Sequence, residues 1–167
     1  MMVDQARGEV ELMKDRLAPA WRISEWLNSD APLSLESLHG KVVVAFAFQM
    51  LCPGCVQESI PQARRVHETF DANAVATIGL HTVFEHHDAM RPVSLKAFMH
   101  ENRVKFPVGV DTHDGDEPLP ATMRAYNMQG TPTLLLIDRI GRLRRQTFGH
   151  VPDLVLGAEI MALIAER

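Results

Sequence analysis

This chain of 167 residues lacks several features, and each absence excludes a class of protein. The longest apolar run, Val42–Phe48, is far too short to cross a bilayer, so we expect no transmembrane helix. The first 17 residues mix charges of both signs and contain no apolar stretch of the kind found in secretory signals. If the chain is the whole gene product, we therefore expect a cytoplasmic protein that does not contact a membrane.

An excess of positive charge is also absent. The net charge is −4 and the pI is about 6.0, so we expect no general affinity for nucleic acid or for anionic lipid. Four arginines cluster between residues 139 and 145 in a predicted hairpin, where a solvated charged strand edge explains them better than a phosphate site. Internal repeats and low-complexity tracts are missing too, which leaves an ordinary globular domain.

Strands and helices alternate along most of the sequence. The apolar stretch 41–48 has no polar alternation, which is typical of a central strand buried on both faces. Other strands are predicted at residues 21–27, 74–80, 106–110, 132–138 and 143–148. Helices are predicted at residues 9–17, 53–70 with a kink near Pro61, 92–103, 119–126 and 152–166. This alternation predicts an α/β sheet covered on both faces.

The two cysteines carry the clearest chemical signal. Cys52 and Cys55 form a Cys-Pro-Gly-Cys sequence at the predicted start of a helix. Unpaired backbone N–H groups and the helix dipole favour negative charge there, and cysteines at such positions have pKa values of about 3.5–7.5 instead of about 8.5. Cys52 is therefore the candidate attacking sulfur. Cys55, one turn further in, is the candidate thiol that resolves a mixed disulfide.

A zinc site is the competing interpretation of these cysteines. Structural zinc usually takes four ligands, so His81, His86 or His87 would have to complete a site that has no second cysteine pair. Three histidines without carboxylates at ligand spacing are more typical of solvated loop residues, and redox chemistry is favoured. The acidic stretch 111–117 does not match a calcium loop and is interpreted as surface loop.

Two separated motifs resemble one known family. The stretch FAFQMLCPGCVQESIP at residues 46–61, the sequence Gly-Thr-Pro-Thr at 130–133, and the closing hairpin and helix resemble TlpA/ResA-like thiol–disulfide oxidoreductases of the AhpC/TSA redoxin superfamily. The resemblance implies a thioredoxin fold over residues 18–167, with a central mixed sheet flanked by helices on both faces. Residues 1–17 would form a helical extension. It also implies that Cys52 is the nucleophile, that Cys55 resolves, and that a cis Thr131–Pro132 bond presents backbone to the substrate.

The sequence departs from thioredoxin in how it could handle the proton of Cys55. Thioredoxin has a buried aspartate where this chain has Phe46. Glu58, three residues after Cys55, matches a glutamate of TlpA/ResA-like proteins, and the resemblance implies a partly buried carboxylate that relays protons. The alternative is a solvated glutamate on the helix surface. An aromatic residue usually precedes the first cysteine, and Leu51 replaces it here.

The expected activity is therefore thiol–disulfide exchange. We expect no cofactor beyond a redox-active Cys52–Cys55 disulfide. The expected partners are a disulfide-containing protein or small-thiol substrate and a thiol electron donor. A thiol peroxidase is the first alternative, although Ala45 and Gln49 stand where peroxiredoxins carry their motif proline and hydroxyl residue. The second alternative is a zinc-binding or partner-binding domain without catalysis.

Overall fold

Strand β2 (Val42–Phe48) is buried along its whole length, as its unbroken apolar sequence predicts. Successive side chains of a strand point to opposite faces of the sheet. Val44 and Phe46 accordingly belong to one hydrophobic core, and Val43 and Ala45 belong to a second core on the other face. The central strand is therefore shared by both layers of the fold.

The structure, a computed structural model, describes residues 16–166. Within that range the sheet has six strands, and those besides β2 are β1 (Ile23–Leu27), β3 (Val75–His81), β4 (Val108–Asp111), β5 (Thr133–Ile137) and β6 (Leu143–Phe148). Their order across the sheet is β1-β4-β3-β2-β5-β6. Strands β2, β3 and β4 run parallel to one another, and the remaining pairs are antiparallel. The mixed sheet predicted from the sequence is confirmed.

Four α-helices cover this sheet in the described part of the chain: α1 (Ile60–Thr69), α2 (Pro92–Glu101), α3 (Ala121–Ala125) and α4 (Asp153–Ala165). Helices α1, α2 and α4 bury side chains in the core on one face. Helix α3 and a short 3₁₀ turn, Glu36–Leu38, pack into the core on the other. Both faces are therefore covered, as predicted. None of the helices in residues 16–166 is long and apolar enough to span a membrane.

Two details of the predicted helices differ in the structure. Most of the helix predicted for residues 9–17 lies outside the described residues, but its last position, Leu17, forms an isolated antiparallel bridge with Arg142. The apolar spacing of the predicted helix 152–166 also puts Leu154 on the buried side with Leu156, but in α4 Leu154 is 89% exposed. The buried residues Leu156, Ile160 and Leu163 are four and three residues apart and therefore lie on one face of the helix, and Leu154 lies outside that face.

The acidic stretch 111–117, which begins with the last residue of β4, also differs from the surface loop that we expected. Asp111 is buried, and its carboxylate accepts hydrogen bonds from the Thr82 hydroxyl at 3.0 Å and from two backbone N–H groups. The Thr122 N–H donates to Asp111 Oδ1 at 2.8 Å and the Met123 N–H donates to Oδ2 at 3.0 Å, and both residues lie in the first turn of α3. Asp111 therefore caps a helix, and the exposed acidic loop begins after it.

Candidate active site at the Cys52–Cys55 turn

The chain leaves the buried end of β2 and enters a helical segment that begins at Pro53, a residue whose fixed φ suits a first helical position. The Cys52 carbonyl accepts a hydrogen bond from the Val56 N–H at 3.1 Å, which makes Cys52 the N-cap residue. Its Sγ accepts a hydrogen bond from the Cys55 N–H at 3.3 Å, as the oxygen of a capping serine or aspartate would. The Cys52 sulfur therefore lies at the positive end of the segment, where negative charge is stabilised.

Cys55 has the opposite environment. Its side chain is fully buried in the core, whereas Cys52 is half-buried, and both cysteines are free thiols. Burial, followed by the hydrogen bond with Cys52, raises the pKa of the Cys55 thiol to about 12. Of the two sulfurs, Cys52 is therefore the one that a substrate can reach.

A π-turn, Cys55–Ser59, connects the cysteines to helix α1. The Ile60 N–H donates to the Cys55 carbonyl, five residues back, instead of to the carbonyl four residues back. Pro61 follows directly, and a proline has no N–H and clashes with the carbonyl four residues earlier in a regular α-helix. The irregularity that the sequence predicts near Pro61 is thus a wider turn immediately before it.

The π-turn changes where Glu58 points. Because this turn holds more residues than an α-helical turn, residue i+4 lies more nearly above residue i than residue i+3 does. Ser59 is accordingly buried like Cys55, whereas the Glu58 side chain is 51% exposed. The expectation of a partly buried Glu58 carboxylate, which came from the family resemblance, is therefore wrong, since this side chain is exposed. Its Oε2 lies 3.2 Å from Nδ1 of His150, a residue that the sequence analysis did not single out.

Glu58 and His150 border a small cavity of about 10 Å³ behind the Cys52–Cys55 turn. Phe46, which stands where thioredoxin has its buried aspartate, is also part of its lining, and so is Pro132. The Pro132 ring connects the cavity to the turn, because a Cβ built on Gly54 would lie 3.5 Å from Pro132 Cδ. The Glu58–His150 pair thus adjoins the buried side of the site.

The Thr131–Pro132 peptide bond is cis, as the family resemblance implies. The Thr131 carbonyl oxygen lies 3.5 Å from Cys52 Sγ, within reach of a thiol hydrogen bond. The next carbonyl, of Pro132, accepts a hydrogen bond from the Gly149 N–H at 2.8 Å, which fixes this loop to the end of β6. The structure therefore brings Cys52, Thr131 and Pro132 together, with Cys55 directly behind them.

Gln49 is a site residue whose role the sequence did not reveal, since it is considered above only as the residue in the position of the peroxiredoxin hydroxyl residue. Its side chain is buried, and its Oε1 accepts a hydrogen bond from the Phe84 N–H at 3.1 Å. Its Nε2 lies 3.5 Å from both Thr131 Oγ1 and Glu85 Oε1. Its backbone carbonyl accepts from the Cys52 N–H at 3.1 Å. One amide residue thus connects the cysteine turn, the Thr131 loop and the loop after β3. A buried glutamine gives no distinctive sequence pattern, and its position three residues before Cys52 does not show which loops it connects.

The three histidines considered as loop residues or zinc ligands do not share one environment. His81 is not in a loop but is the buried last residue of β3. Its Nε2 accepts a hydrogen bond from the Met50 N–H at 3.4 Å, and the centroid of its ring lies 5.2 Å from that of the Phe48 ring. Burial lowers the His81 pKa to about 4. His86 and His87 are exposed. Across residues 16–166, no three His, Cys, Asp or Glu side chains are grouped so as to hold a metal ion.

Comparison with known proteins places this geometry in a family. The model of the AhpC/TSA family matches residues 16–146, which is most of the chain. The chain belongs to the AhpC/TSA family. No curated protein sequence matches it.

Solved structures similar to this AhpC/TSA chain share its thioredoxin-like fold. A thioredoxin-like superfamily protein is 57% identical, with a TM-score of 0.88 over 91% of this chain and 98% of that one. A thiol-disulfide isomerase from Corynebacterium glutamicum is 48% identical, with a TM-score of 0.86 over 90% of this chain and 98% of that one. StoA from Bacillus subtilis shares the fold alone, at 17% identity and a TM-score of 0.66 over 87% and 98% of the two chains. The fold is that of thiol–disulfide oxidoreductases.

Proposed function

We propose that this protein is a thiol–disulfide oxidoreductase that uses the Cys52–Cys55 couple to reduce or exchange disulfides in a protein or small-thiol substrate. One observation carries the proposal. The Cys52 sulfur accepts the Cys55 N–H at 3.3 Å, lies 3.5 Å from the Thr131 carbonyl, and borders an open groove. The similarity to a thiol-disulfide isomerase at 48% identity supports the same chemistry.

The first step is attack by Cys52. Its thiolate attacks one sulfur of the substrate disulfide, a mixed disulfide forms between Cys52 and the substrate, and the other substrate sulfur leaves as a thiolate that takes up a proton. The helical N–H groups stabilise the negative charge that Cys52 carries before attack. The Thr131 carbonyl, beside the sulfur, offers a backbone acceptor to an extended substrate segment.

The second step is resolution by Cys55. Its thiol loses a proton, its sulfur attacks Cys52 Sγ, the bond to the substrate breaks, and the second substrate thiolate leaves and is protonated. The products are a Cys52–Cys55 disulfide and a substrate reduced by two electrons and two protons. Glu58 is our proposed acceptor for the Cys55 proton, and His150, 3.2 Å from its carboxylate, holds it in place.

The remaining requirements are chemical partners, not cofactors. The cycle needs a disulfide-containing substrate and a thiol electron donor that returns the Cys52–Cys55 disulfide to the dithiol, but no bound cofactor. We propose that it runs in the reducing cytoplasm, where a thiol donor is abundant.

The thiol peroxidase alternative has weaker support in the site. Gln49 stands in the position of the peroxiredoxin hydroxyl residue, but it carries an amide whose Oε1 already accepts the Phe84 N–H at 3.1 Å. Peroxiredoxin chemistry also needs a positive group beside the thiolate, whereas Arg124 is paired with Asp114 at 2.7 Å.

Trapping the mixed disulfide tests the proposed function. In Cys55→Ser the first step remains but resolution is lost, so we expect a covalent adduct with a peptide disulfide in a gel without reductant. Cys52→Ser should form no adduct and should not accelerate insulin reduction above the rate with dithiothreitol alone. The wild type should reduce insulin and release the peptide.

Two outcomes would overturn the proposal. One is insulin reduction by Cys52→Ser at the wild-type rate. The other is stoichiometric zinc in the purified untagged protein that is lost on alkylation of both cysteines, because thiols held by a metal are not free to exchange.

A further inference from the structure

A groove of about 330 Å³ runs beside the Cys52 sulfur. Its apolar walls include Leu51, which is 54% exposed, and the half-buried Phe84. Thr131 forms part of the floor, and the Glu85 carboxylate stands at one side. This volume is at the small end of ligand pockets, so the groove accommodates a short segment next to a substrate cysteine and not a whole protein face.

Glu85 is held toward this groove by buried groups. Its Oε1 lies 3.5 Å from Nε2 of Gln49, the buried amide that also reaches Thr131. The Phe84 N–H, one residue earlier, donates to the same glutamine at 3.1 Å. The carboxylate is therefore positioned relative to the Thr131 carbonyl, where the substrate backbone would lie.

The charge of Glu85 is not neutralised by the protein. No lysine or arginine of the described chain lines the groove, and Glu85 forms no ion pair with any residue in 16–166. The nearby carboxylate of Asp88 differs, because Arg91 pairs with it at 2.5 Å. His86 also lines this groove, and its side chain is exposed. The described residues therefore supply no lysine or arginine at this groove to pair with the Glu85 carboxylate.

We propose that Glu85 is a specificity-determining residue that selects disulfides with a lysine or arginine side chain next to the reacting cysteine. The substrate cysteine lies at Cys52 Sγ, its backbone follows Thr131, and the aliphatic stem of the neighbouring cation packs on Phe84 while its charged end reaches Glu85. The proposal rests on the proposed exchange function and names the substrate class of that same site.

The test compares three peptides that differ in one charge. Each carries a cysteine in mixed disulfide with 5-thio-2-nitrobenzoate, whose release is followed by absorbance, and is flanked by lysine, glutamine or glutamate. For an exposed charge pair we expect the pre-reduced wild type, in a single turnover without added thiol, to favour the lysine peptide over the glutamate peptide by about three- to tenfold in the second-order rate constant of release. The ratio should approach one as the ionic strength rises from about 0.01 M to about 1 M.

Two variants that change the net charge by the same amount distinguish the effect of the Glu85 carboxylate at the groove from the effect of the protein's overall charge. Glu85→Lys should reverse the order of the peptides. Glu68→Lys, on the exposed surface near the end of α1 and roughly 20 Å along the helical segment from Cys55, should keep the wild-type order. A Glu85→Gln variant should treat the three peptides alike.

The possible results lead to distinct conclusions. Equal turnover of the three peptides by the wild type, or an unchanged order in Glu85→Lys, overturns the specificity proposal while leaving thiol–disulfide exchange intact. Equal reversal by Glu68→Lys overturns it as well, since the preference would then come from net charge. Absence of release above the Cys52→Ser background for every peptide would instead contradict the proposed function.

Discussion

Protonation of His81 should destabilise this fold within an accessible pH range. The ring is buried, its Nε2 accepts the Met50 N–H at 3.4 Å, and its Nδ1 has no hydrogen-bond partner among the described residues. A protonated imidazole could no longer accept that N–H, which lies two residues before Cys52. Burial alone lowers the His81 pKa to about 4.

The size and sign of the effect follow from that pKa. An unfolded histidine binds its proton near pH 6.5, whereas folded His81 resists it until about pH 4. Between these values the unfolded state holds more protons, so the free energy of unfolding falls as the pH falls. The difference of about 2.5 pH units, at about 1.4 kcal/mol each, gives a loss of about 3 kcal/mol, present in full below pH 4 and absent above pH 6.5.

Urea denaturation of wild type and His81→Leu at about pH 7.5, 5.5 and 4 measures the effect. The leucine variant loses the Met50 acceptor and is expected to be less stable at pH 7.5, but its stability should fall less on acidification because it lacks the titrating group. The gap between the two proteins should therefore close by about 3 kcal/mol. The exposed His100 provides a control, since His100→Leu should keep the wild-type slope. Parallel slopes for wild type and His81→Leu would refute the reasoning.

Three further changes test other parts of the structure. Alkylation of Cys55 in a Cys52→Ser background should still accelerate with pH beyond the point where a free cysteine levels off, because burial raises the pKa of the Cys55 thiol; a plateau at or below about pH 8.5 would contradict this. Asp111→Ala should lower the free energy of unfolding by about 2–4 kcal/mol in urea, because three donors lose their buried acceptor, whereas Asp116→Ala in the exposed loop should change it by less than about 0.5 kcal/mol. Gly79→Ala should lower the free energy of unfolding by about 1–3 kcal/mol, because the added Cβ would lie 2.9 Å from a methyl group of Val108 in strand β4. An unchanged thermal midpoint would contradict this, since it would mean that the sheet accommodates the methyl group without strain.

The strands were predictable because burial leaves a direct mark on sequence. An unbroken apolar run such as β2 has one stable position, in the middle of a covered sheet. Asp111 shows the limit of that approach. A carboxylate that caps a helix from inside and one that faces water can stand side by side in the same acidic stretch, and composition does not distinguish them. Only the position of α3 against the end of β4 does.

Within the site, the role of the two cysteines could be predicted from their spacing, whereas the roles of isolated residues could not. The spacing of Cys52 and Cys55 carries information because two rare residues recur within one helical turn. Gln49 and His81 act alone, and each derives its role from strands that are distant in sequence. Glu58 was located correctly on the helical segment, but its exposure depends on the π-turn before Pro61, which helical periodicity does not reveal.

The order of the two chemical steps in the proposed reaction follows from burial. The helical turn places the Cys52 sulfur at its positive end and the Cys55 sulfur inside the core. Because burial raises the pKa of the Cys55 thiol, Cys52 and not Cys55 is the sulfur that starts the proposed reaction. Cys55 can attack only as its proton is taken up, which requires an acceptor next to the turn. Our proposal assigns that role to Glu58, which together with His150 borders the cavity behind Pro132, and under this proposal the carboxylate matters for resolution and not for the first attack.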